Sequence, residues 1–223
     1  MDRRLVSTIR ALREIGFDEL YLAKAPLTKE QRPQENKEKL LKELYERLER
    51  ERKCVLYEGA SGYVFGEGNP YSPVVFVGEA PGEEEDLQKR PFVGRAGRLL
   101  NEVLERVGLR REEVYITNVV KSRPPGNRKP TREEMGACIP YLKKEIEIIK
   151  PKLIVCLGST ALEGVLGKNL PVTKARGQFF EYPFDRSIKV FLTYHPAYVL
   201  RNPSSEKEFV EDLKKVAQFV KGG

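Results

Sequence analysis

Short apolar runs alternate with longer stretches of helical periodicity from residue 64 to the C-terminus. Strands are predicted for the apolar, β-branched runs, which span residues 74–77, 114–120, 153–157 and 188–194. Between and after these runs, apolar residues recur every three or four positions, as they do on one face of a helix. Strands that alternate with helices are typical of a parallel sheet covered on both faces. The pattern therefore predicts a three-layer α/β/α fold around a central, mostly parallel, four-stranded twisted sheet.

The N-terminal part of the chain has a different pattern. Apolar residues at helical spacing suit one short helix near the N-terminus, and a polar stretch with prolines follows it. We therefore expect residues 1–36 to form an N-terminal appendage and residues 37–223 to form the main domain. Residues 40–53 predict a highly charged helix. Its charges are interpreted either as a DNA-facing stripe or, preferably, as a solvated face with ion pairs between residues four apart.

Composition and charge limit the class of protein. The chain of 223 residues has a formal net charge of +7 and an isoelectric point near 9.2, which favours a polyanionic partner. It contains no apolar run of membrane-spanning length and no signal-peptide pattern, so we expect a soluble, intracellular protein without membrane contact. We further expect a monomer that is cytoplasmic and nucleoid-associated. Its three cysteines do not suit a secreted disulfide framework. Abundant Lys, Arg and Glu, with no Trp, resemble the composition of thermophile proteins.

Four segments with unusual glycine, aromatic and polar residues fall where strands are predicted to end. They span residues 78–86, 90–97, 117–128 and 195–201, and the last begins with the sole histidine of the chain, His195. Ligands of open α/β sheets bind at the carboxyl ends of strands, so these segments are candidates for one site. None of them matches a phosphate-binding loop or a dinucleotide-binding motif. His and Cys residues do not occur at zinc-binding spacing, which argues against metal-dependent hydrolysis.

Together the four segments resemble those of the uracil-DNA glycosylase superfamily, and most closely family 4, the thermostable type of bacteria and archaea. They read GEAPGEEED, RPFVGRAG, TNVVKSRPPGNR and HPAYVLR. The resemblance covers the chain from the helix before Cys54 to the C-terminus. It implies that residues 37–223 form a uracil-DNA glycosylase-like catalytic domain.

The resemblance implies a DNA-repair enzyme. Such a monofunctional glycosylase of base excision repair flips uracil out of DNA and hydrolyses its N-glycosidic bond, leaving an abasic site. Its partner would be uracil-containing DNA. Two other hypotheses stay open. One is a glycosylase of the same fold for another deaminated base, such as hypoxanthine or xanthine, and the other is a non-catalytic relative that binds DNA.

The resemblance also assigns the residues that bind the base. Phe92 would be the platform on which the flat base stacks. The amide of Asn118 offers a donor and an acceptor, which match O4 and N3–H of uracil but not the reversed pair of cytosine. His195 would donate, as a neutral imidazole, to the O2 atom on which charge develops as the base leaves. Ala80, as is usual in family 4, would line the uracil pocket at the position where the best-known uracil glycosylases have an aspartate.

Two carboxylates are candidates for the remaining catalytic work, which is the capture of an oxocarbenium-like sugar by water. Glu79 is the acidic residue nearest to the missing aspartate, and it would position the water or balance the positive charge of the sugar. Glu85 matches a further acidic position of the family, where it would crowd the C5 edge of uracil and exclude thymine.

DNA contacts would come from the third and fourth segments. Val199 and Leu200 are apolar residues of a loop that is predicted to be exposed, where they would wedge into the base stack; the alternative is packing beneath the loop. A rigid Pro-Pro-Gly turn would present Asn127 to the DNA. Phosphate contacts are expected from Arg123, Arg128 and Arg201.

Family 4 enzymes typically hold a 4Fe–4S cluster with four cysteines, and two of those positions are not cysteine in this chain. Cys54 and Cys138 match the family, whereas Glu51 and Ser122 stand at the other two positions. We therefore expect neither a cluster nor another required cofactor or metal. Cys54 and Cys138 should still be neighbours, and whether they are bonded is left open.

Overall fold

The computed structural model describes residues 36–222. The predicted appendage, residues 1–36, lies outside the described residues except for Asn36, whose side chain caps the first helix by accepting from the N–H of Lys39. The helices are, in chain order, α1 (Lys37–Glu51), α2 (Glu83–Gln88), α3 (Arg95–Arg106), α4 (Arg132–Ile149), α5 (Ser159–Leu166), α6 (Val172–Ala175), α7 (Pro196–Arg201) and α8 (Glu206–Gly222). Short 3₁₀ turns span Val55–Gly59, Arg111–Glu113, Pro125–Asn127 and Pro203–Ser205.

Six strands of the described chain form one sheet in the spatial order β1-β3-β2-β4-β6-β5. They are β1 (Glu67–Gly68), β2 (Val74–Gly78), β3 (Tyr115–Asn118), β4 (Leu153–Leu157), β5 (Phe179–Tyr182) and β6 (Asp185–Thr193). The four inner strands run parallel, and β1 and β5 pair antiparallel at the two edges. The predicted α/β fold and its mostly parallel centre are confirmed, but the sheet has six strands rather than four. The edge strands were missed because β1 has only two residues and β5 is largely exposed, so neither carries a buried apolar run.

Side chains of alternate residues in each inner strand enter two separate cores, one on each face of the sheet. In β2, Val75 and Val77 pack with the apolar faces of α1, α4 and α5. Val74 and Phe76 point to the opposite side and pack with those of α3 and α8. This alternation gives the three layers that the sequence predicts. Within residues 36–222, no helix has the length and apolar character needed to cross a membrane.

The outer face of α1 carries opposite charges four residues apart, while its leucines are buried against the core. Such pairs contribute little stability each, but they solvate the helix well. This arrangement agrees with the solvated-face interpretation of the charge run. The pairs are Lys39–Glu43 at 3.9 Å, Lys42–Glu46 at 3.8 Å and Arg47–Glu51 at 2.7 Å.

Candidate active site

A cavity of about 430 Å³ opens at the carboxyl ends of the parallel strands. Asn118, the last residue of β3, lines the cavity and is paired in the sheet with Gly78, the last residue of β2. All four predicted segments contribute to its lining. The predicted residues that line it are Glu79, Ala80, Glu85, Phe92, Asn118, Asn127, Arg128, His195 and Arg201. Three other predicted residues, Arg123, Val199 and Leu200, are not among its lining residues.

Asn118 ends β3 with its amide aimed into the cavity. The residue is 2% exposed, and its Oδ1 atom has no hydrogen-bond partner among the described residues. A buried polar atom without a partner is costly, so it points to a ligand that supplies one. Gly78 makes this orientation possible. A Cβ atom at Gly78 would lie 2.3 Å from Asn118 Oδ1 and 2.5 Å from Phe92 Cζ.

Phe92 forms the aromatic wall of the cavity, and its backbone is held in an uncommon conformation. Its φ angle is +52°, in the left-handed region, and its ring is 5% exposed. Gly97 allows the close approach of the loop, because a Cβ there would meet Phe92 O at 1.9 Å. Arg111 donates to the carbonyl oxygens of Pro91 and Phe92. Arg111 lies outside the four segments, and nothing in its sequence context indicated this role.

His195 faces Phe92 across the cavity, with their ring centroids 5.7 Å apart. The N–H of Ala197 donates to His195 Nδ1 at 3.1 Å, so the proton of the neutral ring lies on Nε2. Burial, and to a smaller extent the positive charge of Arg201, lowers the pKa of His195 to about 4. At neutral pH the side chain is therefore an uncharged N–H donor.

A buried ion pair supports the strand that leads to His195. Thr193 Oγ1 donates to Asp212 at 2.7 Å, and Arg176 donates to both oxygens of the same carboxylate at 2.9 and 3.0 Å. Burial raises the pKa of Asp212, while the bond from Thr193 and the charge of Arg176 act in the opposite direction. These contacts tie β6 to α8 two residues before the histidine.

The two predicted carboxylates have different surroundings. Glu85 uses Oε1 to accept from the N–H groups of Val93 and Gly94 at 2.9 and 2.7 Å, and Oε2 to accept from Gly82 N–H at 3.1 Å. Its carboxylate therefore joins the first segment to the Phe92 loop, which the sequence did not predict. Glu79 is partly exposed and lines the cavity, and its main-chain carbonyl accepts from Val120 N–H at 3.2 Å.

The segment after His195 is not the exposed loop that the sequence predicts. It is helix α7, and Val199 is 2% exposed because it packs into the core with residues of α3 and α8. The wedge prediction for Val199 is therefore wrong, and packing beneath the surface is what the structure shows. A helix turns successive residues by about 100°. Leu200, the next residue, is consequently turned outward and is 38% exposed.

The predicted phosphate-binding arginines differ in how they are engaged. Arg123 Nε donates to Asn127 Oδ1 at 2.7 Å, and Asn127 is exposed with a φ of +56°. Arg128 forms a two-bond ion pair with Glu134 at 2.6 and 2.8 Å. Arg201 is exposed at the cavity, and within the described part of the chain it has no hydrogen-bond or ion-pair partner. Of these three arginines, Arg201 is thus the one whose guanidinium group makes no hydrogen bond or ion pair with the described residues.

Comparison with known proteins agrees with this geometry. The sequence profile of the uracil DNA glycosylase superfamily matches residues 65–217. The chain belongs to this superfamily. The type-4 uracil-DNA glycosylase of Thermotoga maritima is 48% identical over 188 residues, covering 83% of this chain and 97% of the relative. Those of Archaeoglobus fulgidus and Sulfurisphaera tokodaii are 45% and 46% identical, covering 75% and 76% of this chain and 87% and 80% of theirs.

The residues at the expected cluster positions do not fit a four-thiolate cluster. Cys54 and Cys138 are joined by a disulfide, with their Cα atoms 5.4 Å apart, so their predicted proximity is confirmed. The Glu51 carboxylate accepts instead from Tyr141 at 2.7 Å, and the buried Ser122 hydroxyl has no hydrogen-bond partner within the described part of the chain. Thiolates are the usual ligands of iron–sulfur clusters, and a disulfide offers none. Within residues 36–222, no group of three or more His, Cys, Asp or Glu side chains is arranged to hold a metal ion.

Proposed function

We propose that the cavity binds uracil flipped out of DNA and that the protein hydrolyses its N-glycosidic bond, leaving an abasic site. One observation carries this proposal: the buried Oδ1 atom of Asn118, which has no partner among the described residues, faces a cavity that also has an aromatic wall and a neutral imidazole donor. The relatives named type-4 uracil-DNA glycosylases, which match most of the chain, support it. The reaction is a hydrolysis, in which residues of the cavity recognise the base and stabilise the charges that develop on the base and the sugar.

Recognition of the base rests on Phe92 and Asn118. The flat base stacks on the Phe92 ring, while Asn118 Oδ1 accepts from N3–H of uracil and its amide N–H donates to O4. Cytosine presents the reverse pattern at the corresponding atoms, so the same amide leaves a polar pair unmatched. A site built to form such bonds rejects a base that cannot form them, because buried groups then lack partners.

Departure of the base is assisted by His195. The bond between C1′ of the sugar and N1 of uracil breaks with its electron pair passing to the base, and negative charge develops on O2. The Nε2–H of His195 donates to that oxygen. A neutral donor of this kind stabilises the transition state by about 3 kcal/mol. Because its pKa is about 4, the imidazole performs this role without taking up a proton first.

Glu79 is the residue that would balance the positive charge that develops on the sugar. Ala80 and Glu79 both line the cavity, and Ala80 stands at the position where the best-known uracil glycosylases have an aspartate. The Glu79 carboxylate has no hydrogen-bond partner among the residues that the structure describes. We assign Glu79 to balancing the cation and positioning the water that adds to C1′. Glu85 fixes the Phe92 loop through main-chain N–H groups, and its position in the cavity wall also limits space beside the base.

Contact with DNA involves α7 and the turn at Asn127. Leu200 is the residue proposed to enter the base stack, and Arg201 is proposed to bind a phosphate. Arg128 would reach a phosphate by exchanging its present partner, Glu134, whereas Arg123 binds Asn127 through Nε alone and would use its other guanidinium nitrogens. No iron–sulfur cluster is proposed for this chain. The monomeric state and the cytoplasmic location stay predictions.

The test is single-turnover excision from oligonucleotides that carry uracil, hypoxanthine, xanthine or cytosine at one position. The wild-type protein should release uracil in preference to the others. Preferred release of a purine would support the alternative glycosylase, and DNA binding without release of any base would support the non-catalytic relative.

The Asn118→Asp variant tests whether the side-chain amide of Asn118 recognises the base. The carboxylate cannot donate to O4, so uracil excision should fall by about a hundredfold and selectivity should shift towards cytosine. Asn169→Asp, which makes the same chemical change at an exposed residue away from the cavity lining, is the matched control and should behave as wild type. Unchanged activity and selectivity of Asn118→Asp would remove Asn118 from base recognition.

A further inference from the structure

A fully buried lysine lies directly behind the base-reading asparagine. Lys121 and Glu145 are both 0% exposed, and their side chains approach to 2.6 Å. The ammonium group of Lys121 donates to Glu145 Oε2 at 2.6 Å, to Thr117 Oγ1 at 2.6 Å and to the main-chain oxygen of Asn118 at 2.8 Å. An ammonium has three N–H donors, so this set uses all of them. One of the three partners belongs to the asparagine itself.

Glu145, on α4, also accepts several hydrogen bonds. Besides Lys121, it accepts from Tyr45 OH at 2.7 Å and from Thr117 Oγ1 at 3.2 and 3.3 Å. Tyr45 OH in turn contacts Tyr115 OH, which lies on β3. Burial lowers the pKa of Lys121, whereas the charge of Glu145 and their hydrogen bond raise it. The network therefore joins α1, α4 and β3 around one buried charge pair.

Such a pair contributes little net stability compared with apolar residues of the same volume, because both charges lose their hydration. Stability alone therefore does not explain why the charge pair lies at this place. Beyond Asn118 the chain stays beside the end of β2, because Val119 N–H donates to Gly78 O at 3.0 Å and Val120 N–H donates to Glu79 O at 3.2 Å, and it bends over residues 119–122. Lys121 then folds its side chain back to the Asn118 carbonyl. That bond fixes the peptide plane next to the Cα atom that carries the amide.

We propose that Lys121 is a positioning residue that, held by Glu145 and Thr117, orients the Asn118 backbone so that its amide meets the edge of the flipped base. The proposal rests on the function proposed above. An amide that recognises a base by two hydrogen bonds tolerates little rotation, and displacement of a reacting or positioning group by 1 Å can cost about a hundredfold in rate. Lys121 touches neither the base nor the sugar, and it acts through Asn118.

Three variants separate positioning from simple structural support. Lys121→Met leaves Glu145 buried without its cation, and its thermal midpoint should fall by about 10 °C. Lys121→Met combined with Glu145→Gln removes both charges, and its midpoint should recover most of that loss. Val216→Ala, in the core beneath α8, is the control that lowers stability away from this network. All are measured at a temperature where each variant is folded.

The readouts are the single-turnover rate of uracil excision at saturating enzyme, inhibition by free uracil, and affinity for undamaged DNA. In the double variant the rate should fall about tenfold or more and free uracil should inhibit more weakly, with DNA affinity unchanged, because the Asn118 carbonyl lacks its donor. Val216→Ala should keep the wild-type rate and the wild-type inhibition by uracil.

Two outcomes would overturn the inference: a double variant with the wild-type rate and uracil inhibition, or losses in the double variant that Val216→Ala reproduces at equal stability. If Lys121→Met does not fold, the double variant still carries the test. Absence of uracil excision by the wild-type protein would refute the proposed function itself. The positioning role alone is refuted only if the wild-type protein does excise uracil. The two failures are therefore distinguishable.

Discussion

Lowering the pH tests the role of His195 more sharply than a substitution does. The chain contains one histidine, so its imidazole signals in an NMR titration are unambiguous. With a pKa of about 4, about 97% of the ring is neutral at pH 5.5, whereas an ordinary pKa of 6.5 would leave about 9% neutral. If the neutral ring is the donor to uracil O2, the single-turnover rate should stay nearly constant from pH 8 to about 5 and halve near pH 4.

The same pKa affects stability with a defined sign. Because the folded-state pKa lies below the ordinary value, the unfolded chain takes up the proton first as the pH falls. His195 therefore leaves the free energy of unfolding unchanged above about pH 6.5 and lowers it between about pH 6.5 and 4. The full effect is at most about 3 kcal/mol, reduced by the partial exposure of the ring. Denaturant titrations of wild type and His195→Gln across this pH range measure it.

His195→Gln also serves as the control for the rate measurement. Its residual excision should be about a hundredfold slower than wild type and should lack the inflection near pH 4. A midpoint above pH 6 in the NMR titration, or a wild-type rate that falls about tenfold between pH 7.5 and 5.5, would contradict this prediction. Either result would mean that the ring is charged at mildly acidic pH and that burial does not hold it neutral.

Three further predictions follow from the site and its surroundings. Gly78→Ala should reduce uracil excision by about a hundredfold with little loss of DNA affinity, because its Cβ displaces Asn118 and Phe92 by overlapping both. Purified protein should lack stoichiometric iron, and four iron atoms per chain would contradict this. Thiol titration in denaturant should find one thiol, that of Cys156, before reduction and three thiols after it. Arg201→Ala should lower the salt dependence of DNA binding by about one unit of slope, as measured by titration at several salt concentrations, and an unchanged slope would place Arg201 away from phosphates.

The inner sheet was predictable because its strands are buried on both faces and read as continuous β-branched runs. The edge strands were not, since β1 and β5 depend on pairing with a neighbour rather than on their own composition. His195 directly follows such a run, whereas Asn118 lies inside the predicted run and is the last residue of β3, so its place at the site was given by the resemblance to the family. The position of Val199 was not predictable from its neighbours, since a short helix and an exposed loop share the same residues here. Glu85 also binds the N–H groups of Val93 and Gly94, and Lys121 also binds Glu145 on α4; no local pattern reveals these contacts.

The loop that carries Phe92 is held in part through main-chain groups by Glu85 and Arg111, which bind the N–H groups of Val93 and Gly94 and the carbonyls of Pro91 and Phe92. None of these bonds uses the side chain of residue 92, although the Phe92 ring itself packs into the core with residues of α3. An exchange of that side chain would therefore change the surface on which the base stacks while the hydrogen bonds that shape the loop remain available.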